Sequence, residues 1–199
     1  KTQLKNYTPL KMYSEHILSL PADMSKNFLR PPGTVTETAF NAKCIRCGKC
    51  SQACPYQSIK TATLLDGLTV MGTPFIKARE IPCYLCMKCP PVCPSGALDR
   101  NLKHKKDVRM GTAKINKKEC LAWQETLCRS CYQSCPVFDE AIKMDEKLRP
   151  VVNDKKCVGC GICENVCPVE PAAIIVRSYS KRQEKVVIAR AIARSNLGV

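Results

Sequence analysis

Cys44-Ile-Arg-Cys47-Gly-Lys-Cys50-Ser-Gln-Ala-Cys54-Pro55 is the stretch on which the reading of the fold turns. Three cysteines separated by two residues each present their sulfurs to one side of a short loop. The fourth, three residues further on and followed by proline, lies one helical turn away and reaches outward rather than back into the same loop. A cubane cluster needs four soft thiolate donors at tetrahedral corners, and a run of this kind supplies three of them while its backbone N–H groups point at the inorganic sulfides.

The pattern recurs. Cys83-Tyr-Leu-Cys86-Met-Lys-Cys89-Pro-Pro-Val-Cys93-Pro94 and Cys157-Val-Gly-Cys160-Gly-Ile-Cys163-Glu-Asn-Val-Cys167-Pro168 repeat it with unchanged spacing. Cys120 followed by seven residues and then Cys128-Arg-Ser-Cys131-Tyr-Gln-Ser-Cys135-Pro136 varies it. Four units of four account for all 16 cysteines in the 199-residue chain. The expectation is therefore four [4Fe–4S] clusters with every cysteine a ligand.

Rival readings of a cysteine-rich chain fail on spacing. Disulfide frameworks tie distant segments, whereas these cysteines sit two or three residues apart. Zinc sites take well-separated pairs rather than a proline-terminated run of four. No C-x₂-C is followed by His, so no c-type haem is expected, and His16 and His104 lie outside the loops, so no Rieske centre is. Each His reads as an ordinary surface residue. No glycine-rich dinucleotide or Walker loop and no catalytic constellation is present, so neither nucleotide, flavin nor a catalytic residue is expected. The chain reads as an electron carrier.

Charge and composition fit that reading. The formal net charge of +15 counts the cysteines as neutral. A cluster with four thiolates carries about −2 when oxidised, so four would bring the holo-protein near +7. The lysines are scattered rather than gathered in a stripe with stacking aromatics, which argues against nucleic acid and for an anionic membrane surface or an acidic redox partner. With one Trp, four Phe and six Tyr the apolar supply is small, and the apo chain is expected to be largely unfolded. No run approaches the roughly 18 apolar residues of a membrane span, and no signal peptide is visible. The missing initiator Met hints at a processed chain.

Three regions are expected: a leader over 1–36 ending in the rigid turn Leu29-Arg30-Pro31-Pro32-Gly33, a four-cluster domain over 37–177, and a basic tail over 178–199. Each unit should be followed by a short helical stretch returning to apolar residues: Ser58-Ile59, Ala97-Leu98, Ala141-Ile142 and Ala173-Ile174-Ile175. Strands are expected at Phe75–Ala78, Ala113–Ile115 and Val151–Asn153, with a ββ connection between Ile142 and Cys157. The fold class is α+β, a bacterial (clostridial-type) dicluster ferredoxin fold duplicated to hold four [4Fe–4S] clusters. Whether units pair as neighbours or as nested pairs, first with fourth and second with third, stays open. So does the long third loop, a tolerated insertion or a cluster of distinct potential shielded by Trp123.

From Leu29 to Val176 the chain also resembles the NapG-type (MauM/NapG) ferredoxins of periplasmic nitrate reductase systems. The resemblance rests on Leu29–Gly33, Ala39-Phe40, Ala53-Cys54-Pro55-Tyr56, Arg79-Glu80-Ile81-Pro82-Cys83, Val92-Cys93-Pro94-Ser95-Gly96-Ala97-Leu98-Asp99, Arg109-Met110-Gly111 and Asp139-Glu140-Ala141-Ile142, and the long third loop is similar too. It implies twin-arginine export of the folded protein to the periplasmic, outer face of the cytoplasmic membrane. It implies docking on a membrane-integral, quinol-oxidising NapH-type partner, as a subunit of a quinol dehydrogenase without a catalytic site of its own. Electrons would pass towards a periplasmic c-type cytochrome and nitrate reductase. By the same match all sixteen cysteines carry over as ligands: Cys44, Cys47, Cys50, Cys54, Cys83, Cys86, Cys89, Cys93, Cys120, Cys128, Cys131, Cys135, Cys157, Cys160, Cys163 and Cys167. The alternatives are the iron–sulfur subunit of a molybdopterin oxidoreductase, in which the fourth loop normally carries a long insertion, or a soluble polyferredoxin. The tail segment Lys185–Arg194 is expected on the membrane, on its partner or against the body.

Overall fold

The computed structural model describes residues 28–34 and 36–179; His16 and Lys185–Arg194 lie outside them. Three antiparallel ribbons organise these residues: β1 (Ile59–Thr61) with β2 (Pro74–Ile76), β3 (Gly111–Ile115) with β6 (Ile174–Ser178), and β4 (Ile142–Met144) with β5 (Pro150–Val152). Ile59 faces Ile76, Ala113 faces Val176 and Ile142 faces Val152 across the pairs. The strands are only three to five residues long, too short to be stable without tertiary support.

The C-terminal half runs β3, third cysteine loop, β4, β5, fourth cysteine loop, β6, so the outer ribbon closes over an inner hairpin. The N-terminal half keeps the inner hairpin β1–β2 between its two loops. In place of an outer ribbon it uses helix α1 (Glu37–Lys43) and the Leu29–Gly33 stretch. The N–H of Ile76 donates to the Leu29 carbonyl at 2.8 Å and that of Asp99 to the Gly33 carbonyl at 2.9 Å. Local sequence explains α1: the Thr36 hydroxyl accepts from the Ala39 N–H at 3.0 Å, Glu37 stands in the positive first turn and Lys43 in the negative last turn. The helix ends where the N–H of Cys44 donates to the Phe40 carbonyl at 2.8 Å, delivering the first cysteine at its C-cap.

Single-turn helices α2 (Lys49–Gln52), α3 (Ser130–Gln133) and α4 (Ile162–Asn165) each begin one residue before the third cysteine of their unit and end before the fourth, earlier than expected from the sequence. Ile59, Ile142 and Ile174 open strands instead. The reason is the Cys-Pro ending: proline disfavours helical backbone in the residue before it, so each turn stops short of the fourth cysteine. In the second loop Cys89-Pro90-Pro91 forms a tight turn rather than a helix, since two successive residues precede proline. Of the strands expected at Phe75–Ala78, Ala113–Ile115 and Val151–Asn153 the second lies whole within β3, the first ends at Ile76 and the third at Val152, and the ββ connection is present.

One apolar core runs through both halves, and thiols are part of it. Leu29, Phe40, Leu85, Leu98, Val108, Ala113, Ile142 and Val158 pack with buried Cys83, Cys89, Cys93, Cys131, Cys157, Cys160 and Cys163. Arg30 is buried beside this core. Its guanidinium pairs with Glu37 (Nε to Oε2, 2.8 Å), donates to the Thr73 hydroxyl and Pro74 carbonyl (2.8 Å each), and lies over the Phe28 and Phe40 rings. A single cation thereby ties the Leu29–Gly33 stretch to α1 and β2.

Three sets of contacts stitch the halves together. The N–H of Cys83 donates to the Cys160 carbonyl at 2.9 Å, and that of Met110 to the Val158 carbonyl at 3.1 Å. Arg79 Nη1 donates to the carbonyls of Glu164 (2.8 Å) and Cys167 (2.9 Å), capping α4, while Asn165 Nδ2 returns a bond to the Arg79 carbonyl at 2.9 Å. Arg79 also forms an ion pair with Glu170. Packing across the seam is close at a left-handed glycine: a Cβ on Gly161 would lie 2.4 Å from the Ala78 Cβ.

Candidate functional site

None of the sixteen cysteines is in a disulfide. The fold gathers them into groups that cross unit boundaries. One recess is lined by Cys83, Cys86 and Cys89 of the second unit together with Cys54 of the first. A second is lined by Cys157, Cys160 and Cys163 with Cys135. A third is lined by Cys120, Cys128 and Cys131 with Cys167. Each of the three presents the same donor set, three cysteines of one unit and the last cysteine of another, so one kind of group suits all three. Cys44, Cys47 and Cys50 neighbour one another on the first loop, and Cys93 is the cysteine that remains to complete their set. Pairing thus runs between adjacent units; the nested alternative is not what the chain adopts.

The loops share a backbone device. Arg46 and Gly48 (φ 57° and 73°), Leu85 and Met87 (53° and 57°), and Gly159 and Gly161 (72° and 84°) occupy equivalent positions on either side of the second cysteine, all left-handed. Alternating left-handed residues curl successive N–H groups toward a common concavity, an arrangement suited to anionic groups. The third loop lacks it, because its seven-residue spacer reaches the second cysteine by a 3₁₀ turn over Leu121–Gln124 instead. Holding Arg46, Leu85 and Met87 there costs about 1–2 kcal/mol each, which is the strain expected where a site dictates the backbone.

Burial favours the neutral thiol over the thiolate at most of these cysteines. Loss of hydration pushes Cys83 and Cys50 up to about 11 and Cys131 and Cys160 to about 12. Cys89 and Cys163 are raised further still, by burial first and by crowding with other cysteines second. Such groups become thiolates at neutral pH only if a cationic centre replaces the lost water. Cys93 goes the other way: burial raises it, but the N–H of Leu98 (3.4 Å to Sγ), the Ser95 hydroxyl and the N–H groups of Ala97 and Ser95 outweigh that and pull it below the ordinary thiol value. Soft donors, four to a recess, buried and ringed by N–H groups, fit an iron–sulfur cluster.

Tyr56 and Tyr84, with ring centroids 4.5 Å apart, border the Cys54–Cys83–Cys86–Cys89 recess. Trp123 packs beside the third-loop recess with Cys120, Cys128 and Cys167, its indole N–H donating to the Pro150 carbonyl at 3.3 Å. The N–H and hydroxyl donors to Cys93 and the caps from Arg79 escaped the sequence reading. Ser95 and Arg79 lie within the quoted family stretches, but nothing local announces their partners. No helix among the described residues is long and apolar enough to cross a membrane.

Comparison with known proteins agrees with the architecture. The family profile described as "4Fe-4S dicluster domain" matches residues 43–97, and a second profile of the same description matches 113–175, one for each half. The "Ferredoxin-type protein NapG" of Escherichia coli (strain K12) is 46% identical over 165 residues, covering 76% of this chain and 71% of that protein. The "Methylamine utilization ferredoxin-type protein MauM" of Methylorubrum extorquens is 40% identical over 158 residues, covering 74% and 71%. NapG of Haemophilus influenzae is 41% identical over 160 residues, covering 73% of this chain and 57% of that protein. With its fold, its thiol recesses and these relatives, the chain belongs to the NapG/MauM family of ferredoxin-type iron–sulfur electron-transfer proteins.

Proposed function

We propose that the chain holds four [4Fe–4S] clusters, one in each cysteine quartet, and relays electrons from a membrane-integral quinol-oxidising protein of the NapH type towards a periplasmic c-type cytochrome and nitrate reductase. The assigned quartets are Cys44, Cys47, Cys50 with Cys93; Cys83, Cys86, Cys89 with Cys54; Cys120, Cys128, Cys131 with Cys167; and Cys157, Cys160, Cys163 with Cys135. A bound [4Fe–4S] cluster supplies one-electron chemistry at each. The protein's own part is to hold the donors as thiolates, exclude water and set the order of the sites.

The observation that carries the proposal is that order. Cys89 has Cys50 as a neighbour, Cys160 has Cys83, and Cys163 has Cys131. The quartets therefore follow one another by loop as first, second, fourth, third, with two free ends. A row with two ends suits a relay between two partners. The greater identity to NapG, at 46%, than to MauM, at 40%, favours the nitrate system over methylamine utilisation.

The test is anaerobic affinity purification from gently solubilised membranes, with iron and acid-labile sulfide analysis. A quinol-oxidising membrane protein as main companion, about sixteen irons per chain and bleaching of the cluster absorbance by quinol would support the reading. A molybdopterin subunit as companion, or recovery alone in the soluble fraction, would overturn it.

A further inference from the structure

The connection between β1 and β2 carries a cluster of exposed apolar side chains, among them Leu65, the most exposed large apolar residue of those described. Leu65 is 80% exposed, Leu68 75%, Leu64 58% and Met71 41%. They do not project because the loop is loose. Ala62 and Val70 from the same loop are buried against Phe28 and Phe75, whose rings meet edge to face at 4.9 Å. The Thr63 N–H and hydroxyl both donate to Asp66 (2.7 and 2.9 Å), closing the 3₁₀ turn over Leu64–Asp66, and Gly67 turns the chain back. Two apolar residues thus anchor the loop inward while three leucines are held out on a fixed turn.

The loop sits against the first cysteine loop. Arg46 donates to the Thr69 carbonyl at 3.4 Å, and its side-chain carbons would meet a Cβ on Gly72 at 3.2 Å. Ile45, next to Arg46, is itself 64% exposed, and neighbouring Cys47 is exposed. The adjoining sequence is predominantly basic, with Arg46 in contact with the loop and Asp66 the acid within it. Between Glu37 and Asp66 the chain has Lys43, Arg46, Lys49 and Lys60 and no acid, and the Asp66 carboxylate is already engaged by Thr63.

Apolar residues on a rigid projection with a cationic skirt match a bilayer surface of anionic lipid: the leucines enter the acyl boundary and the lysines meet the headgroups. A protein partner would more often be met by aromatic and Arg anchors, with leucine under-represented among the residues that carry such contacts. We infer that Leu64, Leu65 and Leu68 insert into an anionic membrane surface and seat the first-loop end of the molecule on it. The occupant is the lipid itself, independent of any protein companion. The orientation deepens the relay reading and rests on it, because it brings the first of the four sites to the membrane side.

The test is flotation of the purified holo-protein with vesicles of phosphatidylcholine containing 30% phosphatidylglycerol, and with phosphatidylcholine alone. Wild type should float with the anionic vesicles, fall at least ten-fold in bound fraction with the neutral ones, and lose binding at high salt. Leu65→Asp/Leu68→Asp, with visible absorbance and dithionite reduction unchanged, should lose it at least ten-fold. A milder Leu65→Ser/Leu68→Ser pair serves if the first loses its clusters. A wild type that stays in the aqueous layer overturns the inference, as does a variant that floats equally, since the cation-rich tail would then be responsible. If the variants leave flotation unchanged but weaken co-purification of a membrane protein, the patch is a protein interface and the lipid assignment is wrong. Failure of the quinol-bleaching experiment with flotation intact would remove the relay reading and leave the lipid contact standing.

Discussion

The N–H of Cys83 donates to the carbonyl of Cys160 at 2.9 Å, joining the second cysteine loop directly to the fourth across the seam between the halves. Each residue is the first or second cysteine of its loop, so the bond fixes two thiol-bearing backbones against each other. Gly161, one residue on, packs with Ala78 from the other half, and Arg79 reaches across to cap α4. The middle of the row is therefore its most heavily braced part, whereas the first and third loops form its ends.

Pairing between adjacent units predicts how double substitutions add. Cys54→Ser/Cys86→Ser removes two donors from one quartet and should cost about four irons per chain. Cys50→Ser/Cys54→Ser takes one donor from each of two quartets and should cost about eight. Equal iron losses from the two pairs, measured on anaerobically purified protein, would sink the assignment of Cys54 to the second loop.

The seam predicts a contrast between two glycines of identical handedness. Gly161→Ala must accommodate a Cβ 2.4 Å from that of Ala78 as well as φ of 84°, whereas Gly48→Ala, at φ 73°, meets nothing within 4 Å. The first should destabilise the holo-protein by about 3–5 kcal/mol and the second by about 1–2. Thermal loss of cluster absorbance reads both. Similar shifts would show that the seam yields to the extra methyl group.

Arg30 predicts a stability effect far from any cysteine. Replacing it by Ala strips Glu37, Thr73 and the Pro74 carbonyl of their partner inside a buried site. The cost should be about 3–5 kcal/mol, the usual consequence of breaking a buried pair on one side. Arg30→Lys should recover little, since one ammonium cannot reproduce a planar fork lying over Phe28 and Phe40. A fully stable Arg30→Lys protein would mean that charge alone is required.

The sequence carried the cysteine repeat, the two dicluster ferredoxin halves and three strand positions, because a cluster loop writes its requirement locally, as spacing, glycine and Cys-Pro. Pairing of loops was not legible. Whether Cys54 faces Cys83 or Cys157 depends on contacts between segments, such as Cys83 with Cys160, that no local spacing encodes. Helix α1 was missed although Thr36, Glu37 and Lys43 stand where caps and dipole want them, because seven residues give too little periodicity. The outward set of the leucines of residues 64–68 was not legible either, because it depends on Ala62 and Val70 taking the inward positions against Phe28 and Phe75.

Asp145 predicts a pH dependence confined to the β4–β5 turn. Its carboxylate accepts from Arg149 Nε at 2.8 Å and from the N–H groups of Arg149 (2.9 Å) and Lys147 (3.0 Å). The Arg149 side chain first, and its backbone N–H second, hold the carboxyl below its ordinary range. An acid depressed in the folded state contributes stability above its unfolded pKa of about 3.9, and that contribution fades as pH falls through the lower folded value. The stability difference between wild type and Asp145→Asn should therefore be constant from neutral pH to about 5 and shrink below the carboxylate range. Both proteins lose clusters in acid, so the difference between them is the readout. A difference that does not change with pH would assign the effect to the backbone bonds, which Asn retains.

Trp123 predicts a site-specific shift of potential. The ring packs against the cluster of Cys120, Ala122 and Ala173 on which Cys128 and Cys167 also pack, and cations lie over it: Lys117 (Nζ 4.1 Å from the centroid) and Arg149 (Cζ 4.3 Å). Removing it admits water to the third-loop recess, and water stabilises the more negative, reduced state, so the potential of that cluster should rise. Trp123→Ala should move one cluster of the four upward by tens of millivolts in a redox titration followed by EPR, and Trp123→Phe, which keeps a ring in place, should move it less. The cations complicate the sign only if they follow the ring. Set free of Trp123, Lys117 has no seat near the sulfurs, whereas Arg149 stays paired with Asp145 and keeps its place. A downward shift would thus assign the ring to seating Lys117 near the site, and four unmoved potentials would mean that it fills space without screening.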